Sequence, residues 1–223
     1  MWIIDSYKKS KKVRDDFSIN GISVLVKDKL PEEIDPEFVF SYIGSRIPFY
    51  LTKWVEVIYV GKFPEMEQRQ IKAFYENEAI YLTNEQDDDM EMIEDIIHEI
   101  SHSIEHNNMD FIYASGTLEK EFLAKRLALA NLLKKNYNVP QEFLINGEYD
   151  QNIDDFLFKE VGYDVLNQLC VGIFPSGYAA TSVSEYWAKG FEELFLGNRA
   201  DLKEYCPVLF SRLTKLIKEM EGK

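Results

Sequence analysis

Residues 87–106 read DDDMEMIEDIIHEISHSIEH, and the layout of this stretch decides how the rest of the chain is read. Met92, Ile93, Ile96, Ile97, Ile100 and Ile104 supply apolar positions around much of a helical circumference, which predicts a helix buried over most of its surface. A helix buried in this way seldom carries polar groups without a use for them. His98 and His102 are four residues apart, so their imidazoles stack on one face about one turn apart, the spacing from which two nitrogens reach a single tetrahedral zinc. Glu99 points beside that face. There its carboxylate can take a proton from a water that the metal acidifies, from a pKa of about 15.7 toward about 7. The protonated Glu99 can then pass its proton to a departing amine while the metal polarises the scissile carbonyl. The expected chemistry is peptide hydrolysis without a covalent enzyme intermediate.

Two satisfied core histidines would show the same spacing. Against that, the chain has three histidines, and all of them fall between residues 98 and 106. The acidic run Asp87, Asp88, Asp89, Glu91, Glu94 and Asp95 reads as a solvated first turn that complements the helix dipole, not as a second metal site.

Two histidines leave a catalytic zinc one protein ligand short, since such sites use three ligands plus water. His106 continues the four-residue series, but three positions along one straight helix spread over about 12 Å and cannot converge on one ion. It reads as a surface residue near the helix end. A further histidine six residues after the second is absent, because that position is Asn108, and the glycine such a pattern needs is replaced by Glu105. A carboxylate from another helix is therefore expected. Glu121, in the helix-like run Leu118 to Leu133, is one candidate, with Glu119 as its weaker neighbour. Glu185 is the other. It stands in SEYWAKGFEELF, residues 184–195, where Ala188 and Gly190 allow another helix to approach closely and Trp187, Phe191, Leu194 and Phe195 want burial. Seven residues before Glu185, Tyr178 sits in the irregular stretch PSGYAA, from which a phenol can hydrogen-bond a developing oxyanion. The plain alternative is one ordinary tyrosine among thirteen.

Upstream of the helix, strand-like runs alternate with turn signals: Ile19 to Val26 around Asn20-Gly21, Trp54 to Val60, then Ile71 to Tyr75 and Ala79 to Thr83 around Glu76-Asn77. A small, mainly antiparallel sheet is expected. Pro36 to Ser45 reads as a helix capped by Asp35, with Phe38, Val39, Tyr42 and Ile43 on one face. From Asp87 onward the period is helical, with helices expected at about 87–106, 117–136, 152–170, 182–196 and 199–219.

With 223 residues, 46% apolar and 14% aromatic, the chain can bury a substantial core. A net charge of −14 repels phosphate backbones, so nucleic acid is not an expected partner, and the acidity reads first as solubility. Met1 to Asp5 precede the basic cluster Lys8, Lys9, Lys11, Lys12 and Arg14, the reverse of a secretion signal, and no run reaches membrane-spanning length. The expected location is the cytoplasm. Cys170 and Cys206 do not make a disulfide framework and fit a reducing compartment.

His98 to His102, then Tyr178, then Glu185-Tyr186-Trp187-Ala188 with Phe191, resemble the catalytic domain of anthrax lethal factor and the related Pro-Pro endopeptidases, which are compact zincins. The resemblance implies that His98, His102 and Glu185 bind zinc, that Glu99 is the general base, and that Tyr178 stabilises the oxyanion. It also implies that Ala79 to Thr83, before the motif helix, resembles the edge strand on which zincins lay an extended substrate. It covers about half of the chain and is absent from about Met109 to Leu169, longer than the family's usual connection. Ser101 stands where the family usually has glycine. Lys189 stands where an acidic residue often follows the ligand by one turn, so Glu192 becomes a candidate for orienting a histidine.

The expectation is thus an α+β, zincin-like metallopeptidase in one catalytic domain, residues 1–223. A strand-rich lobe (about 1–86) and a helical lobe (about 87–223) would hold Zn²⁺ and the active site between them, and a peptide or protein would be the substrate. Two alternatives stand beside it: a zincin-fold binding or assembly protein that turns nothing over, and a regulator-cleaving peptidase with Glu121 as the third ligand.

Overall fold

The computed structural model describes residues 15–69, 71–145 and 147–222; the basic cluster Lys8, Lys9, Lys11, Lys12 and Arg14 and the stretch Met1 to Asp5 lie outside them. The chain divides into two compact units, Met1–Ile104 and Glu105–Lys223. It is α+β: strands β1 (Asp15–Ile19), β2 (Ile22–Val26), β3 (Val57–Val60), β4 (Ala73–Glu76) and β5 (Ala79–Leu82) all fall in the first unit, and helices dominate the second.

The strands form one sheet in the order β1-β2-β3-β5-β4. Two tight hairpins make its margins. Asn20 (φ 51°) and Gly21 (φ 90°) turn β1 into β2, and Asn77 (φ 50°) and Glu78 (φ 62°) turn β4 into β5, both with the paired positive φ whose twist matches antiparallel strands. The sheet is mixed, however, not mainly antiparallel, because β2 pairs β3 and β3 pairs β5 in parallel. Each parallel step is made by a crossover: helix α1 (Pro36–Arg46) joins β2 to β3, and helix α2 (Pro64–Arg69) with β4 joins β3 to β5. The expected edge strand is also displaced. Ala79–Leu82 is paired on both sides, by β3 and by β4, and the edge is β4.

One face of the sheet buries Ile22, Val24, Val26, Ile58, Val60, Ile80 and Leu82. The other carries a ladder of rings, with Tyr59 over Tyr81 at 5.4 Å and Tyr81 over Phe74 at 4.7 Å. Helix α1 is capped as its sequence predicts, Asp35 Oδ1 accepting from the amides of Glu37 and Phe38. Its buried stripe is Val39, Phe40 and Ile43; Phe38 is largely exposed.

The long helix α3 (Asp89–Asn107) begins in the first unit and ends in the second. After it come α4 (Met109–Tyr113), α5 (Thr117–Leu133), α6 (Gln151–Asp155), α7 (Tyr163–Cys170), α8 (Val183–Phe195), α9 (Arg199–Tyr205) and α10 (Pro207–Glu221). Two expected helices are broken. The 152–170 helix is interrupted by a wide π-helical turn, Phe156–Val161, and by Gly162 at φ 82°. The 199–219 helix stops at Cys206 and restarts at Pro207, a residue suited to a first turn. Helices α8 and α10 meet at Gly190, where a Cβ would stand 2.3 Å from Leu209 Cδ2. Cys170 and Cys206 are buried free thiols, and no helix among the described residues is long and apolar enough to cross a membrane.

Candidate metal centre

Helix α3 starts on Asp88, whose Oδ1 accepts from the Glu91 amide at 2.9 Å, and its first turn is tied down further by ion pairing of Lys72 with Glu91. Met92, Ile93, Ile96, Ile97 and Ile100 are fully buried and Ile104 nearly so, which fixes the rotation of the helix and leaves its histidine face half-buried. On that face His98 Nε2 and His102 Nε2 lie 3.0 Å apart. Two nitrogens on a tetrahedral zinc, with bonds of about 2.0–2.1 Å, stand about 3.3–3.4 Å from each other, so the pair is within a few tenths of an ångström of a ligating separation. Glu99 beside them is only 6% exposed. Ser101 and Ser103 donate to the carbonyls of His98 and Ile100 at 2.6 and 2.7 Å, so these buried hydroxyls are satisfied by the helix itself.

Glu185 occupies the first turn of α8. Ser182 caps that helix, its Oγ accepting from the Glu185 amide at 3.1 Å, and Val183 N donates to Gly147 O at 2.7 Å. One ligand atom from each of His98, His102 and Glu185 lies within 4.8 Å of the others. His106 is exposed near the helix end and is not of that group.

Glu121 serves a different purpose. Its two carboxylate oxygens accept from the Val208 and Leu209 amides at 2.9 Å each, and Oε2 also takes the Tyr186 hydroxyl at 3.0 Å. It caps α10, whose own preceding residue, Cys206, makes no side-chain cap. Glu119 is exposed.

Tyr178 lies in the short turn Tyr178–Ala180, about one-third exposed, with its ring edge-on to Tyr163 at 5.9 Å. Burial, and next the negative charge of Glu185, hold its phenol above the ordinary tyrosine value, so the proton stays on and the group is a donor. Glu192 accepts from Lys189 Nζ at 2.8 Å, so Lys189, one turn after Glu185, is paired with a buried carboxylate.

Two residues beside these were not expected. Arg126 is fully buried and donates to the carbonyls of Ala180 (2.9 Å), Thr181 (2.6 Å) and Phe143 (3.3 Å), with Phe122 and Phe143 packed on its guanidinium. It holds the link between Tyr178 and the cap of α8. Burial lowers its pKa to about 10, which still leaves it charged at neutral pH. The sequence signal was a lone arginine on the Leu118, Phe122, Leu129, Leu133 stripe. The second is Glu105, 8% exposed, which accepts from Ser184 Oγ at 2.7 Å and from Tyr113 OH at 2.5 Å. Its signal was an acid placed one turn beyond His102 in an apolar helix.

No known protein-family model, curated protein or solved structure matches this chain.

Proposed function

We propose that this chain is a zinc-dependent endopeptidase of the zincin type, with the site layout of lethal factor and the Pro-Pro endopeptidases. The observation that carries the reading is the convergence of His98, His102 and Glu185 within 4.8 Å, from segments far apart in sequence. Two imidazoles and one carboxylate are the donors that catalytic zinc takes in several hydrolases, leaving a fourth position for water or substrate. Zinc held there supplies Lewis acidity, which makes a water more acidic and a carbonyl more electrophilic.

The chain's own groups do the rest. Glu99, next to His98, takes the proton of the attacking water and returns it to the leaving amine. Tyr178, kept protonated, donates to the oxygen on which negative charge develops. Strand β4, Ala73–Glu76, the last strand on its side of the sheet among the described residues, is the one from which backbone groups would meet an extended peptide, the role that Ala79 to Thr83 cannot fill because Ala79–Leu82 is paired on both sides.

The test is metal analysis and peptide-library cleavage on the purified chain, with Glu99→Gln, Glu185→Ala and Tyr178→Phe. About one zinc per chain is expected, retained by Glu99→Gln and Tyr178→Phe and lost by Glu185→Ala. Cleavage should fall at least about 100-fold in Glu99→Gln, and in Tyr178→Phe by about 100- to 1,000-fold in kcat. Full activity in Glu99→Gln would end the peptidase reading. Zinc without any cleavage would favour a zincin-fold binding protein.

A further inference from the structure

Glu105 is not accounted for by ligation or by proton transfer. It sits on α3 one helical turn after His102, so its carboxylate projects from the same rigid element as the two histidines. It is nine-tenths buried and is met by two hydroxyls: Ser184 Oγ at 2.7 Å and Tyr113 OH at 2.5 Å. Ser184 immediately precedes Glu185 in the first turn of α8, and Tyr113 ends α4. Tyr113 is held well above the ordinary tyrosine value by burial and then by the Glu105 charge, so it remains a donor to that carboxylate.

We infer that Glu105 is a positioning residue that sets Glu185 against the histidine pair, by anchoring Ser184 to the helix that carries His98 and His102. The physical argument is one of register. Glu185 has several rotatable bonds and would sample many positions from a mobile backbone. A carboxylate on the histidine helix that grips the neighbouring residue removes that freedom before any ligand arrives. Tyr113, on the second oxygen, holds the carboxylate plane so that one lone pair stays aimed at Ser184. This is the work done in many metal sites by groups bonded directly to a ligand, here applied through the backbone of the adjacent residue. Ser182 and Arg126 hold the same segment as well, through the Glu185 amide and the carbonyls of Ala180 and Thr181, and the Ser184–Glu105 bond ties α8 to α3.

The inference rests on the ligand set proposed above, and its test separates the two. Zinc affinity of the apo protein is measured by competition with a chromophoric chelator for wild type, Ser184→Ala, Glu105→Ala, Glu105→Gln, the Ser184→Ala/Glu105→Ala double variant and Glu185→Ala. Visible spectra of the cobalt-loaded proteins are recorded beside them. Ser184→Ala should lose about 10- to 100-fold in affinity and shift the cobalt bands, since the ligand geometry changes. Glu105→Gln, whose amide oxygen still accepts from Ser184, should recover most of what Glu105→Ala loses. The double variant should bind no worse than the weaker single one, because both changes break one connection.

Wild-type affinity and an unshifted cobalt spectrum in Ser184→Ala would overturn the inference, as would additive losses in the double variant. If Glu185→Ala loses zinc while Ser184→Ala does not, the ligand set stands and the positioning role falls. If Glu185→Ala binds zinc like wild type, both fall. Ser184 is half-buried on a first turn, so its alanine variant removes one hydroxyl without opening a core cavity.

Discussion

Replacing Glu121 separates a helix cap from a metal ligand. In the structure its carboxylate accepts from two amides at the start of α10, each at 2.9 Å, and from the hydroxyl of the fully buried Tyr186 at 3.0 Å. Glu121→Ala removes the N-terminal cap of a long helix, about 1–2 kcal/mol, and the anion at its positive end, about 0.5–1 kcal/mol. It also takes the carboxylate partner from the buried Tyr186 hydroxyl and leaves it the weaker Cys206 thiol, at about 1–3 kcal/mol. The sum is about 4 kcal/mol. At about 2–4 °C per kcal/mol for a chain of this size, the melting temperature should fall by about 8–16 °C. Glu121→Gln keeps an acceptor but loses the charge, and should fall about half as far. The assay is calorimetric melting of the metal-free protein, paired with chelator competition for zinc. Melting should drop with zinc affinity nearly unchanged. Loss of zinc at an unchanged melting temperature would refute the reasoning and return Glu121 to the ligand set.

Two further outcomes follow from buried groups. Arg126→Met should leave the carbonyls of Ala180, Thr181 and Phe143 without their donor, lowering stability by about 3–5 kcal/mol in urea titration. It should also reduce kcat in cleavage assays more than it raises KM, because Tyr178 loses its fixed place; unchanged stability would contradict the role given to the guanidinium. Burial pushes the Cys170 thiol up to about 12. From about pH 9 to about pH 12 the unfolded chain has therefore lost a proton that the folded chain keeps, so this thiol makes stability fall as pH rises through that window. The decline in urea midpoint between pH 8 and pH 10 should be smaller in Cys170→Ala than in wild type, and an equal decline would exclude the effect.

Turns, caps and the spacing of side chains on one helix are local patterns, whereas strand pairing and the partners of buried polar groups are not. Asn20-Gly21 and the Glu76-Asn77 turn announced both hairpins, and Asp35-Pro36 announced α1 with its cap. The two hairpins suggest an antiparallel sheet, but α1 between β2 and β3 is the signature of a parallel crossover, and the central pairings are parallel. The edge expected at Ala79 to Thr83 follows from the resemblance alone, and β4 takes that place because it pairs with the outer side of Ala79–Leu82. Gly162 and Pro207 are helix breakers that lie within stretches whose apolar periodicity is continuous, and the structure breaks at both. The spacing of His98 and His102, with Glu99 after the first, is readable because two side chains on one helix face make a local pattern. Glu121 and Glu185 could not be told apart so simply, since what distinguishes them is the company they keep: the amides of Val208 and Leu209 for one, the histidines for the other. Arg126 and Glu105 were illegible for the same reason, their partners being carbonyls and hydroxyls that many residues could supply.

The contact at Gly190 bears on how the sequence can drift. A methyl group there would overlap Leu209, which has no room to swing away because it is itself fully buried. The two positions should therefore change together during descent: alanine at 190 should be accepted only alongside a shorter residue at 209, and a library varying both at once should return them as a correlated pair. Leu209 is itself one of the two residues whose amides Glu121 caps, so the same pairing would constrain where α10 can begin, a restriction on insertions between 196 and 207 as much as on substitutions.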